Sequence, residues 1–183
     1  MTIVVIKSKT KDSKMAKIKL TNVRLSFPSI FQKASFQGEQ GDKYEATFLI
    51  DKSDKKTKAK LDAAIAECIA EAKIKVPADK ICLKDGDDLD YDGYEGVWSL
   101  KASQKKRPTV INRDKSPLTE DDEVIYAGCY VNAIVDFWAQ NNAYGKRINA
   151  NLYGVQFAKD GNSFGQGAVD VTDDFDDIDD IDD

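Results

Sequence analysis

"EVIYAGCYVNAIVDFWA" (Glu123–Ala139) is followed by "NNAYG" (141–145) and then by "KRINANLYGVQF" (Lys146–Phe157). Successive side chains of a strand point to opposite sides, so Ile125, Ala127, Cys129, Val131, Ala133, Val135 and Phe137 form one unbroken apolar face. That face predicts a core. In the partner segment Ile148, Ala150 and Leu152 keep the same phase, and the glycine-bearing turn between the two predicts a long β-hairpin.

The other face of this hairpin carries Tyr126, Tyr130 and Trp138 on one strand, and Arg147, Asn149, Asn151 and Tyr153 on the next, with Lys146 at the turn. Rings, amides and cations on one face suit single-stranded nucleic acid, whose bases stack on aromatics at ~1–3 kcal/mol each while cations follow the phosphates. The competing reading is a second core under a helix, because Tyr and Trp commonly sit half buried. Lys101, Lys105, Lys106 and Arg107, with Arg113 beyond, lie in and after a strand at 97–103 that also holds Trp98. They would supply phosphate contacts or form a solvated loop.

Working outward, "KIKLTNVRLSF" (Lys17–Phe27) alternates, but Ile18 and Leu20 are out of phase with Val23 and Leu25, which predicts a bulge near Thr21 and Asn22. "YEATFLI" (Tyr44–Ile50) is a second strand, joined to the first through a hairpin-like connection. The period then changes: Leu61, Ala64, Ile65, Cys68, Ile69 and Ala72 share one helical face after a Ser53 or Asp54 cap. A further short strand is expected at 108–112. The composite is mostly β with one main helix.

Composition narrows the function. Nine of the chain's 32 acidic residues lie within 170–183, so residues 1–169 carry 23 acids against all 27 Lys and Arg, a net charge of +4 beside a strongly acidic tail. Such asymmetry points to nucleic acid or a charged partner. The chain has no histidine, which excludes Ser-His-Asp and Cys-His nucleophilic sites. Cys68, Cys82 and Cys129 read as reduced thiols rather than bridges. The apolar run "TIVVI" is too short for a signal h-region or a membrane span, so a cytoplasmic protein is expected, with Met15 an alternative start.

"DGDDLDYDGYEG" (Asp85–Gly96) invites comparison with a calcium loop, but the alignment puts Ser99 where the bidentate Glu should stand. No metal and no cofactor are expected.

The stretches "VRLSFPSIFQ", "YEATFLIDKSD" and, above all, "YAGCYVNAIVDFWAQNNAYGKRINANLYGVQF" resemble the phage-encoded single-stranded DNA-binding proteins, over roughly Lys17 to Gly167. The resemblance implies an OB fold, a five-stranded antiparallel barrel, here elaborated. It also implies a non-enzymatic protein of the bacterial host cytoplasm that coats single strands in replication and recombination and ends in a disordered acidic tail. One departure stands out: the helix follows the second legible strand, whereas the usual topology puts it between the third and fourth. Either a strand is hidden between Lys17 and Ile50 or the barrel is elaborated.

The expected organisation is a leader at 1–16, an OB domain at 17–158, a flexible linker at 159–169 and an acidic tail at 170–183. Phase and chemistry assign DNA contact to Trp98, Lys101, Lys105, Lys106, Arg107, Arg113, Tyr126, Tyr130, Trp138, Lys146, Arg147 and Tyr153. The tail residues Phe175, Ile178, Ile181, Asp182 and Asp183 are assigned to a replication partner, whether polymerase, helicase or primase. A metal-dependent nuclease using the acidic loop is the rival reading. The oligomeric state, a homodimer included, is left open.

Overall fold

A computed structural model describes residues 16–36, 39–164, 174–176 and 178. The broken alternation of the first strand becomes β1 (Ile18–Ser29), whose ladder to β8 (Tyr130–Asn142) slips between Leu20 and Val23. Asn22 adopts a left-handed φ of 58° at that bulge. The extra residue resets the phase, and Ile18, Leu20, Val23 and Leu25 are all buried in consequence.

The other edge of β1 pairs with β4 (Tyr44–Asp51), and β4 pairs along its whole length with β6 (Val97–Gln104). β8 runs into β9 (Gly145–Lys159) through a tight turn, with Asn142 opposite Gly145. The circuit closes where β6 meets β9 in parallel, Ser103 opposite Asn151. The strands β1, β4, β6, β9 and β8 therefore enclose a five-stranded barrel, and closing the sheet removes most of its bare edges. Phe48, Leu100, Val131, Val135, Ile148 and Leu152 fill its interior.

The remaining strands are appendages. β2 (Ser35–Phe36) and β3 (Glu39–Gln40) form a separate ladder, β5 (Leu83–Asp85) adds to β6, and β7 (Thr109–Ile111) adds to β9. Residues 35–40 thus hold two extra strands outside the barrel, and the helix does follow the second barrel strand. That helix, α1 (Lys55–Ala72), is capped by Asp54, whose carboxylate accepts from the Thr57 amide at 3.2 Å and from its hydroxyl at 2.7 Å. It packs Leu61, Ile65 and Cys68 into the core and ends at Lys73 in a left-handed conformation, φ 55°. Among the described residues, no helix is long and apolar enough to cross a membrane.

Two expectations change. The strand predicted from Glu123 begins only at Tyr130. Glu120–Asp122 form a single 3-10 turn held by a Thr119–Asp122 capping box, Glu123 has φ 50°, and Gly128 has φ 111°. A Cβ at Gly128 would lie 2.2 Å from the Asn162 carbonyl oxygen, so the chain passes there too closely for a regular strand. Ile125 and Ala127 consequently lie outside the strand and are only partly buried, Ile125 against the main core and Ala127 against a smaller apolar cluster, while Cys129 is fully buried.

The second change concerns the expected linker at 159–169. β9 runs to Lys159, and residues up to Phe164 remain on the body. The Tyr126 hydroxyl donates to the Asp160 carboxylate at 2.9 Å and accepts from the Gly161 amide at 3.0 Å. Phe164 is buried with Leu49 and Tyr94 in a second, smaller apolar cluster. The leader as far as Met15 and the linker residues 165–169 lie outside the described residues.

Candidate nucleic-acid interface

Alternation on β4 and β6 sends Ala46, Phe48, Ile50, Leu100 and Ala102 into the barrel. It turns Glu45, Thr47, Ser99, Lys101 and Ser103 outward, and the neighbouring β9 adds Arg147 and Asn149. Over this outer face runs a groove of about 960 Å³. Lys43, Lys80, Lys84, Lys101 and Arg147 line it, against two acids, Asp79 and Glu45. Lys101 Nζ lies 3.5 Å from Glu45, but at 61% side-chain exposure this contact holds the lysine only loosely.

One end of the groove is aromatic. The rings of Phe27 and Tyr91 meet edge to face with centroids 5.2 Å apart, and Tyr91 lies 5.0 Å from Tyr94. Tyr94 is buried and donates its hydroxyl to Ser26 Oγ at 2.8 Å, and its phenol pKa is raised chiefly by that burial. Phe27 and Tyr91 remain 41% and 50% exposed, so their rings stay accessible. Phe27 has φ 45° and precedes Pro28, a conformation that costs about 1–3 kcal/mol in a residue of this kind. Such strain is typical of sites where a side chain must be aimed.

The acidic loop that carries Tyr91 is held by Lys52. Its ammonium lies 2.5 Å from Asp85 and 2.6 Å from Asp87, and Asp87 also accepts from the Gly96 amide at 3.0 Å. These hydrogen bonds hold both carboxyls below the usual range and raise the lysine. Among the described residues, no group of three or more His, Cys, Asp or Glu side chains gathers as metal ligands.

The residues singled out in the sequence divide. Lys101 and Arg147 line the groove. Lys105, Lys106 and Arg107 are exposed beyond the end of β6, Lys105 at 3.8 Å from Asp42, and Arg113 and Lys146 are exposed elsewhere. Trp138 is 39% exposed and pairs with Asn149, which places it on the same face, one strand further out.

The structure does not bring Trp98, Tyr126, Tyr130 or Tyr153 to the groove. Trp98 is an odd number of residues from Lys101, so it faces the opposite way, against the core, with Lys52 and Lys58 over its ring at 4.8 and 4.2 Å. Tyr130 lies beneath Lys159 and against Gly161. Tyr153 occupies a bulge, donates to the buried Asp136 at 2.9 Å and has Lys17 over its ring; its phenol is pushed up, mainly by burial. Of the tail residues, Phe175 and Ile178 are exposed, and Ile181, Asp182 and Asp183 lie outside the described residues.

Sequence reasoning missed Phe27, Tyr91, Lys43, Lys80 and Lys84. An aromatic before a proline at a strand end, and an aromatic inside a run of acids, were the only signals available. Chemically the groove offers cations for phosphates, and rings, hydroxyls and an amide for unpaired bases.

Comparison with known proteins agrees with that chemistry. The family model described as the ssDNA-binding protein of Enterobacter phage Enc34 matches residues 16–183. The chain is 44% identical over 170 residues to putative protein p50 of Acyrthosiphon pisum secondary endosymbiont phage 1, across 87% of this chain and 92% of that protein. The Enc34 single-stranded DNA-binding protein solved in complex with ssDNA is 34% identical, with a TM-score of 0.74 over 81% of this chain and 89% of that one. The single-stranded DNA-binding protein gp2.5 of bacteriophage T7 is 12% identical with a TM-score of 0.55 over 84% of this chain and 97% of that one, a likeness of fold alone.

Proposed function

The chain belongs to the family of the Enterobacter phage Enc34 ssDNA-binding protein, and from that membership we propose that it binds single-stranded DNA in the groove over β4, β6 and β9. The observation that carries this reading is the meeting of five cations with the exposed Phe27–Tyr91 pair along one groove. The position supports it too, because OB folds take oligonucleotides on the face of their second and third strands, which here are β4 and β6. Stacking needs only a π face and phosphate contacts read no bases, so binding is independent of sequence.

In this reading the protein coats and protects single strands during phage replication and recombination in the host cytoplasm. The tail, with nine aspartates, acts as a tethered polyanion that competes for the groove. Once displaced, it offers Phe175, Ile178 and Ile181 to a basic patch on a polymerase, helicase or primase. Against the nuclease alternative, two carboxylates of the acidic loop, Asp85 and Asp87, are engaged by Lys52.

Fluorescence titration with oligo(dT), mixed-sequence single strands and duplex, at several salt concentrations, tests the proposal. Similar affinity for all single strands, falling steeply with salt, is expected. Preference for duplex, or for one sequence, would overturn it.

A further inference from the structure

We infer that Phe164 is a positioning residue for the groove, holding the loop at 85–96 so that Tyr91 faces Phe27. This rests on the groove being the DNA site. Phe164 touches none of the groove's space itself. It is buried behind the aromatic end, in a cluster with Leu49 and Tyr94, and the flanking Leu89 and Ala127 belong to both the cluster and the groove wall.

Three independent contacts seat it. Gly93 runs with φ 88° directly against the ring, where a Cβ would come within 2.2 Å of a Phe164 ring carbon. The Arg24 guanidinium lies over the ring at 4.0 Å and is itself fixed by the carbonyls of Gly128 and Asn162. The Phe164 amide donates to the Ala127 carbonyl at 3.3 Å. From Phe164 the packing passes through Gly93 and Tyr94 to Tyr91 and then to Phe27.

Lys52 fixes the two ends of this loop, its ammonium at Asp85 and Asp87 and its amide donating to the Gly96 carbonyl at 3.0 Å, and touches nothing at 91–94. The stretch at 91–94, which carries the groove's ring, is instead pinned by the segment that leads out to the acidic tail. Phe164, close in sequence to the acidic tail, thus shares in setting the aromatic end of the groove.

The test is a double-variant cycle in the full chain, read by oligo(dT) titration per folded molecule. Phe164→Ala and Tyr91→Ala should each weaken binding by about tenfold, the scale of one lost stacking contact. The double variant should bind no more weakly than Tyr91→Ala alone, and Phe164→Leu should recover most of the loss. In DNA-free Phe164→Ala, hydrogen exchange should rise in residues 86–96 and not in β1, β4 or β8. Wild-type binding by Phe164→Ala beside a weakened Tyr91→Ala, or additive losses in the double variant, would overturn the inference and leave the groove reading intact. Unchanged binding by Tyr91→Ala would overturn both. Should Phe164→Ala fail to fold, Gly93→Ala takes its place in the cycle, with the same expected and overturning results.

Discussion

Phe27 and Tyr91 meet edge to face at 5.2 Å although they come from a strand end and from a distant acidic loop. Neither ring is needed to fill the barrel, and both stay accessible. Phe27→Gly should therefore weaken single-strand binding by about 1–3 kcal/mol, one stacking contact. Because glycine tolerates φ 45° without strain, its denaturation midpoint should be unchanged or higher. Paired titrations and denaturant melts check this split, and loss of stability with unchanged binding would contradict it.

Lys101 and Arg147 are placed to meet phosphates. Alanine at either position should weaken binding to all single strands alike and reduce the slope of log affinity against log salt by about 0.7, the single-strand value per neutralised phosphate. A loss confined to particular sequences would point instead to base recognition.

Trp98 faces the core under two lysines rather than the groove. Trp98→Ala should cost about 2–4 kcal/mol of stability, toward the low end for a large aromatic truncation because the ring is only partly buried. Binding per folded molecule should stay the same. Thermal melts and titrations on one preparation separate the two effects.

The ion pairs of Lys52 give stability a defined pH dependence. The carboxyls of Asp85 and Asp87 are lowered from 3.8 in the folded state, so their contribution is complete above that value and is lost as pH falls below it through the folded values. The lysine is raised from 10.5, so its contribution is complete below that value and is lost at higher pH. Lys52→Met should flatten both limbs of a denaturation midpoint measured against pH. Equal acid limbs in the two proteins would show that the pair adds nothing.

Removal of residues 170–183 should tighten single-strand binding at low salt and let some duplex binding appear. The gain should shrink as salt rises, since screening weakens the tail's competition as well as the DNA's attraction. Unchanged or weaker binding at low salt would sink the competition mechanism.

Local alternation carried much of the fold. The bulge near Asn22, the Asp54-capped helix with Leu61, Ile65 and Cys68 inward, and the hairpin of β8 and β9 were all legible, because each depends on side-chain periodicity over a few turns or pleats. The same periodicity extended β8 back to Glu123, and a glycine forced into close approach with Asn162 ended it instead. Phase likewise put Arg147 on an outward face, and charge picked out Lys101, but neither could say which outward face was the groove.

That choice belongs to the tertiary structure. By phase Tyr126, Tyr130 and Tyr153 were expected outward too, yet Asp160, Gly161, Lys159, Asp136 and Lys17 engage them, and all of these except Lys17 are contributed by β8, β9 or the chain just beyond. Phe27 and Tyr91 carry no periodic signal, since one sits at a strained position near the end of β1 and the other in a loop. Sequence determined which side chains leave the barrel wall, because pleating is local. Barrel closure between β6 and β9 and the seating of Phe164 decided which of them share a groove, because those contacts join residues far apart in the chain.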